Sequence, residues 1–187
     1  MRVLLTGATG YVGGRLVPHL LQAGHTVRCL VRETQRLQGR PWASEVESVQ
    51  GDALDERSLA QAFEGIDVAY YLIHGTQHGK VDVQRELRVA RTFLRAAETA
   101  QIKRIIYLGE LMHPMAPLSP YLRARHETGY ILRQGRIPIT EFRAGMIVGS
   151  GSILFEMIRY LVERQPVLIC PKWFFSQAQP IAIRNVL

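Results

Sequence analysis

Val3-Leu4-Leu5-Thr6-Gly7-Ala8-Thr9-Gly10-Tyr11-Val12-Gly13 runs from an apolar stretch into three spaced glycines. Arg15-Leu16-Val17-Pro18-His19-Leu20-Leu21 follows as a helical pattern, closed by Gly24. The reading is a buried strand, a glycine-rich turn and a helix start. A helix start presents N–H groups and the positive end of its dipole, which suits a diphosphate. Gly7 takes the tight turn after the strand, Gly10 has no Cβ to obstruct a pyrophosphate, and Gly13 lets the helix lie close to the sheet. The G-x-x-G-x-x-G spacing is one residue longer between its first two glycines than the usual dinucleotide fingerprint. Gly7, Thr9, Gly10, Tyr11, Val12 and Gly13 are therefore candidate cofactor contacts.

Outward from this loop, strand and helix patterns alternate. His25–Val31 reads as a second strand, Val46–Gln50 as a short third, and Ser58–Phe63 as a short helix. Val68–Ile73 is continuously apolar, as a parallel strand buried on both faces should be. Val81–Thr99 is a long amphipathic helix with Val83, Leu87, Ala90, Leu94 and Ala97 on one stripe. Arg104–Leu108 and Ile137–Phe142 are the fifth and sixth strands, with a helix at Pro120–Gln134 between them. A helix at Ser152–Arg164 and short strands near Val167–Cys170 and Pro180–Ile183 complete the pattern. Such alternation predicts an α/β fold, a doubly wound parallel sheet of the Rossmann type. At 187 residues the chain suits one domain spanning 1–187. The closing Ile183-Arg184-Asn185-Val186-Leu187 reads as a strand entering a helix, so a further C-terminal substrate region is expected.

The net charge of +7 comes from 20 arginines and 3 lysines spread along the chain. No basic block or aromatic stacking set accompanies them, so nucleic acid is not the expected partner. A polyanionic cofactor is the simpler one. Cys29 and Cys170 lie in apolar runs and read as buried thiols, without metal-ligand spacing. The opening apolar run is too short for a signal peptide or a membrane span, and a cytoplasmic protein is expected.

The end of the second strand reads the cofactor. An acidic residue there would hold a ribose 2′-OH and repel a 2′-phosphate. Here Arg32 stands nineteen residues after Gly13, and its guanidinium suits a 2′-phosphate. NADP is favoured over NAD, with Arg36 and Arg15 as helpers. Asp52, after the third strand, either accepts from the adenine amino group, with Ala53 lining the base, or is a turn residue. Asp55 with Ser58 reads as a helix start. Ile73, His74 and Gly75 end the fourth strand and Leu108 ends the fifth, all beside the nucleotide by topology. His74 is either an acid or base, or a local hydrogen-bonding residue.

These residues resemble the short-chain dehydrogenase/reductase superfamily, in its extended and atypical branches. The loop at Thr6–Gly13 is similar to its T-G-x-x-G-x-x-G motif, and Gly51-Asp52 to its adenine-binding Asp. Tyr70-Tyr71-Leu72-Ile73-His74, Ile106-Tyr107-Leu108-Gly109, Leu118–Glu127, Val148–Ser152 and Gln179–Arg184 resemble bacterial NAD(P)-binding proteins with a DUF2867-type C-terminal region. Such proteins are similar to NmrA-like regulators and to a nucleotide-binding accessory subunit of respiratory complex I. The resemblance implies a Ser, Tyr and Lys catalytic set. Tyr121 fills the Tyr place, Arg125 stands at the Lys place, and Leu108-Gly109-Glu110 offers no hydroxyl at the Ser place. Tyr121 and Arg125 are the candidate catalytic pair, with Glu110 as a further acid or base. The resemblance thus implies an oxidoreductase or epimerase-like enzyme with a degenerate set, acting on a small molecule. The alternative is a non-catalytic NADP(H) sensor or assembly module. Val81–Thr99 and Pro120–Gln134 are candidates for a homodimer face.

Overall fold

The computed structural model describes residues 1–74, 76–77, 80–112, 118–165, 167 and 177–187. Two compact units, Met1–Arg143 and Ala144–Leu187, are described separately.

The first unit is built on a six-stranded sheet. Its strands are β1 (Arg2–Thr6), β2 (Thr26–Val31), β3 (Glu47–Gln50), β4 (Val68–Tyr71), β7 (Arg104–Glu110) and β8 (Ile139–Ala144), the last reaching the unit boundary. A small hairpin of β5 (Thr76–Gln77) and β6 (Lys80–Val81) lies between β4 and the next helix. The sheet order is β3-β2-β1-β4-β7-β8, and its strands are parallel. Renumbered within the sheet this is 3-2-1-4-5-6, the doubly wound order, whose switch point lies between β1 and β4. Helices α1 (Tyr11–Gln22), α2 (Glu56–Phe63), α3 (Val83–Thr99) and α4 (Pro120–Arg133) make the crossovers.

Local chemistry sets the helix starts. Asp55 caps α2 by accepting from Arg57 and Ser58 N–H, as its spacing to Ser58 predicts. Asp82 caps α3 through Arg85 N–H, and Ser119 caps α4 through Leu122 N–H, with Pro120 opening that helix. The hairpin occupies residues expected to be helical, so α3 begins at Val83 rather than Val81. β4 likewise ends at Tyr71, leaving Leu72 to His74 as the strand's exit.

The core is a continuous apolar cluster between sheet and helices. Phe63, Phe93, Tyr71 and Tyr107 form an edge-to-face chain through it, with centroids 5.1, 4.9 and 5.9 Å apart. The expected stripe of α3 is buried at Leu87, Ala90, Leu94 and Ala97. Val89, Thr92, Phe93 and, unexpectedly, Glu86 are buried with it. Buried Arg28 also serves the fold: it donates to the carbonyls of Gln61, Ala62 and Glu64, closing the end of α2.

In the second unit β9 (Ile147–Val148) pairs in parallel with β10 (Ile181–Ala182), and α5 (Ile153–Arg164) and α6 (Ile183–Val186) accompany them. The short strand expected at Val167–Cys170 falls, apart from Val167, outside the described residues, as do Cys170 and Gly75. Cys29 is fully buried on β2, and burial pushes its thiol pKa up to about 12. No helix among the described residues is long and apolar enough to cross a membrane.

Candidate functional site

The glycine loop lies at the switch point, where β1 and β4 separate. Thr6 joins them: its hydroxyl donates to Tyr70 O at 2.8 Å and accepts from Leu72 N–H at 3.1 Å. Gly7 then turns with φ +78°, and a Cβ there would lie 2.5 Å from Leu72 O. A Cβ on Gly13 would lie 2.3 Å from Gly7 O, so α1 can approach the loop only because this residue is glycine. Gly10 differs. Its absent Cβ would meet only Gly7 O, at 3.2 Å, and would otherwise occupy the open space above the turn. Gly10 is also the N-cap of α1, supplies no capping side chain, and is followed by no acidic residue in the first turn. A positive, uncapped helix end over an open cradle fits a dinucleotide's diphosphate.

Two residues that the sequence reading missed complete this loop. Pro18 lies inside α1 and has no N–H to give to Gly14 O, four residues back. The Trp42 indole Nε1–H takes that carbonyl instead, at 3.1 Å in a buried position. The segment after β2 is thereby pinned onto the start of α1. It carries Arg40 to the loop, where Nη2 donates to Thr9 O at 3.3 Å. A proline in a helix and a tryptophan in a loop were the available signals. Among the residues expected here, Arg32 is exposed at the end of β2, and Tyr11 carries the Arg15 guanidinium 4.1 Å over its ring. Thr9, Tyr11 and Val12 are half-buried.

Asp52 forms a turn. Its Oδ1 accepts from Leu54 N–H at 2.9 Å, and its Oδ2 pairs with Arg85 at 3.3 Å. Ala53 is buried beside it.

At the ends of β4 and β7 the arrangement departs from a Tyr–Lys type of dyad. Tyr121 Oη donates to Glu110 Oε1 at 2.8 Å. Burial and the Glu110 carboxylate push the phenol's pKa up, outweighing Arg125, whose charge acts the other way. Arg125 is 2% exposed and faces the strand ends from below. It donates to Ile73 O at 3.4 Å, to Leu108 O, and to His74 Nδ1 at 2.6 Å. Its guanidinium also lies 3.9 Å from buried Glu86 and 5.2 Å from the centre of the Tyr107 ring, and Tyr107 Oη donates to Arg125 O. Burial raises the Glu86 pKa and Arg125 opposes the rise. Glu86 also escaped the sequence reading, although its place among Val83, Leu87 and Ala90 on α3 was a signal.

Gly109 is closed off: a Cβ there would lie 3.0 Å from Glu141 Oε1 and 3.2 Å from the Tyr107 ring. Ser119 Oγ already accepts from Leu122 N–H as the cap of α4, which fixes it at the helix start rather than at the end of β7. Among the described residues no group of His, Cys, Asp and Glu side chains could hold a metal ion.

Comparison with known proteins accords with this geometry. The NAD(P)H-binding family matches residues 7–151. The chain is 25% identical over 188 residues to the photosystem II assembly factor Ycf39 of Synechocystis sp., covering 99% of this chain and 55% of that protein. It is 34% identical over 116 residues to a Mycobacterium tuberculosis 3 beta-hydroxysteroid dehydrogenase/Delta 5-->4-isomerase, covering 57% of this chain and 30% of that protein. The chain thus spans about half, or less, of the length of these relatives. The Citrobacter sp. triphenylmethane reductase complexed with NADP(H) matches with a TM-score of 0.71 at 26% identity, over 87% of this chain and 55% of that one. A Bacillus cereus UDP-glucuronic acid 4-epimerase with NAD shares the fold, with a TM-score of 0.78 at 20% identity, over 100% of this chain and 70% of that one. With the cradle of Gly7, Gly10 and Gly13 at the switch point of a doubly wound sheet, the chain belongs to the NAD(P)H-binding family.

Proposed function

We propose that the chain is the dinucleotide-binding part of an NADP-dependent oxidoreductase that handles its proton through Tyr121 and Glu110. The observation that carries this reading is the 2.8 Å hydrogen bond from Tyr121 Oη to Glu110 Oε1 at the strand ends. Gly7, Thr9, Gly10 and the first turn of α1 would hold the diphosphate, and Arg32, helped by Arg40, the 2′-phosphate. Ala53 would line the adenine, whereas Asp52 serves the turn. Ile73, His74 and Leu108 border the far end of the cleft.

When bound, the dinucleotide supplies the hydride acceptor or donor. The protein's part is the proton. As a substrate hydroxyl gives its proton to Tyr121 Oη, the phenol's own proton passes to Glu110 Oε1; reduction runs the same relay backwards. This relay starts from a protonated phenol, so the raised Tyr121 pKa does not block it. A tyrosinate stabilised by Arg125 is not required.

The second reading is an NADP(H)-binding module without turnover. The closed Gly109 position and the structural engagement of Arg125 favour it, and one relative is named as an assembly factor. A homodimer through α3 and α4 suits either reading, with exposed Tyr130 on α4 as a contact.

The test is nicotinamide absorbance with the full chain, NADPH or NADP, and a panel of carbonyls, enones, quinones and alcohols. Turnover that Tyr121→Phe and Glu110→Gln both abolish is the expected result. Tight NADPH binding without turnover across the panel would establish the module instead. Binding measured alongside should show Arg32→Ala weakening NADPH by about 1–3 kcal/mol and leaving NADH unchanged.

A further inference from the structure

Glu86, Arg125 and His74 form a line from the buried face of α3, through α4, to the exit of β4. A guanidinium has donors only and keeps its charge at any ordinary pH. At 2.6 Å from Arg125 Nη1, His74 Nδ1 must therefore be the acceptor. That leaves the single imidazole proton on Nε2. Arg125 cannot turn away to release the ring. It is held by Ile73 O, Leu108 O and Tyr107, and faces Glu86 from 3.9 Å.

We infer that Arg125, backed by Glu86, locks His74 as an uncharged Nε2–H donor, and that this donor holds an oxygen acceptor of the bound dinucleotide. His74 is thus a binding residue and Arg125 a positioning residue. Neither exchanges a proton with substrate. The inference rests on dinucleotide binding at this rim, not on the oxidoreductase reading.

Three observations converge on it. His74 stands three residues beyond the end of β4, on the side of the switch point that also carries the glycine cradle. His74 is exposed as a residue even though its imidazole is closely packed on the Arg125 side, so the edge turned away from Arg125 is where a ligand would meet it. The charged group that faces it is the cation Arg125 from α4, with Glu86 of α3 behind that cation and Tyr107 of β7 beside it. Loss of solvent, and then Arg125, hold the imidazole's pKa well below its ordinary value. A charged imidazolium, which has no acceptor to offer Arg125, is disfavoured by the same geometry.

The test uses the full chain with NADPH as the probe and two readouts. Long-range ¹H–¹⁵N spectra of the imidazole should show the Nε2–H tautomer without titration between pH 5 and pH 8. His74→Asn places an amide oxygen near the position of Nδ1, so it preserves the Arg125 contact and removes only the outer donor. It should weaken NADPH about three- to tenfold, as for one lost neutral hydrogen bond, with an unchanged melting temperature. An Nδ1–H tautomer, or a ring titrating near its ordinary value, would overturn the lock. Unchanged NADPH affinity in His74→Asn would overturn the acceptor's assignment to the dinucleotide. Absence of NADPH binding by the wild-type chain would instead overturn the reading beneath it, with the tautomer spectra still deciding the lock.

Discussion

Tyr121 and Arg125 stand one helical turn apart on α4, yet their functional groups serve different partners. The phenol meets Glu110 at 2.8 Å, whereas the guanidinium lies beneath the strand ends with His74 Nδ1 2.6 Å away. A Tyr–Lys pair at this spacing would converge on one ligand. Here the longer, forked arginine reaches backbone carbonyls that a lysine could not bridge together, and it becomes part of the frame.

The first expected outcome concerns the Tyr121–Glu110 pair. Tyr121→Phe and Glu110→Gln should each lower kcat by about 10²–10⁴. The double variant should be no slower than the worse single one, because both remove the same relay. NADPH affinity should stay within about twofold. Losses in kcat that multiply in the double variant would show two independent roles.

Arg125 and Glu86 should reveal themselves in stability. Removing one member of a buried pair leaves an uncompensated charge, so Arg125→Met should cost about 3–5 kcal/mol in urea unfolding. Combining it with Glu86→Leu should recover much of that loss, because two apolar side chains replace two desolvated charges. A double variant no more stable than Arg125→Met would mean that Arg125 acts through its carbonyl contacts alone.

The β/α order was legible because parallel strands buried on both faces are uniformly apolar, and Val3–Leu5 and Val68–Leu72 show this plainly. The cradle was legible because a strand, spaced glycines and a helix start impose one geometry. Arg125 was not. Its residue type says that it is charged, but its neighbours Glu86, His74 and the Leu108 carbonyl come from elements 17 to 51 residues away. Ser119 and Asp52 show the converse limit. Both carry chemistry that a site could use, and both are engaged locally, as a helix cap and a turn.

Pro18 and Trp42 offer a test of one tertiary dependence. Trp42→Phe keeps the aromatic packing but leaves Gly14 O without its indole donor, which should cost about 1–2 kcal/mol. In a Pro18→Ala background the restored N–H can bond Gly14 O itself, so the same substitution should cost less than half as much. Thermal melts of the four proteins give the coupling. Equal costs in both backgrounds would show that the indole acts by packing alone.

Acid should weaken the fold through His74. Its folded pKa lies below the ordinary value of 6.5, so falling pH protonates the unfolded chain first. Stability present above about pH 6.5 should then be lost as pH drops. Glu86 has the opposite sign. Its raised folded pKa adds stability that is full below 4.5 and is lost as pH rises through the raised value. Between pH 7 and pH 5, His74→Asn should therefore flatten the decline in urea midpoint, whereas Glu86→Gln should steepen the net decline by removing the opposing contribution. A His74→Asn profile parallel to wild type would mean that the imidazole titrates alike in both states.

Finally, substitutions at the glycines should separate holding the fold from holding the ligand. Gly13→Ala would place a methyl group 2.3 Å from Gly7 O, so α1 must shift, at a cost of about 1–3 kcal/mol. Gly24→Ala has nothing within 4 Å of the new methyl but keeps φ +75°, so only the left-handed backbone strain of about 1–2 kcal/mol remains. Neither the space nor the φ objection applies fully at Gly10, where the methyl meets one carbonyl oxygen at 3.2 Å and otherwise faces the cradle. Gly10→Ala should melt within a few degrees of wild type while weakening NADPH at least about tenfold, as the methyl takes the space of the diphosphate. Gly24→Ala should do the reverse, lowering the melting temperature and leaving affinity alone. If Gly10→Ala bound NADPH normally, the diphosphate would lie elsewhere, and the fit of the loop to its ligand would be lost with it.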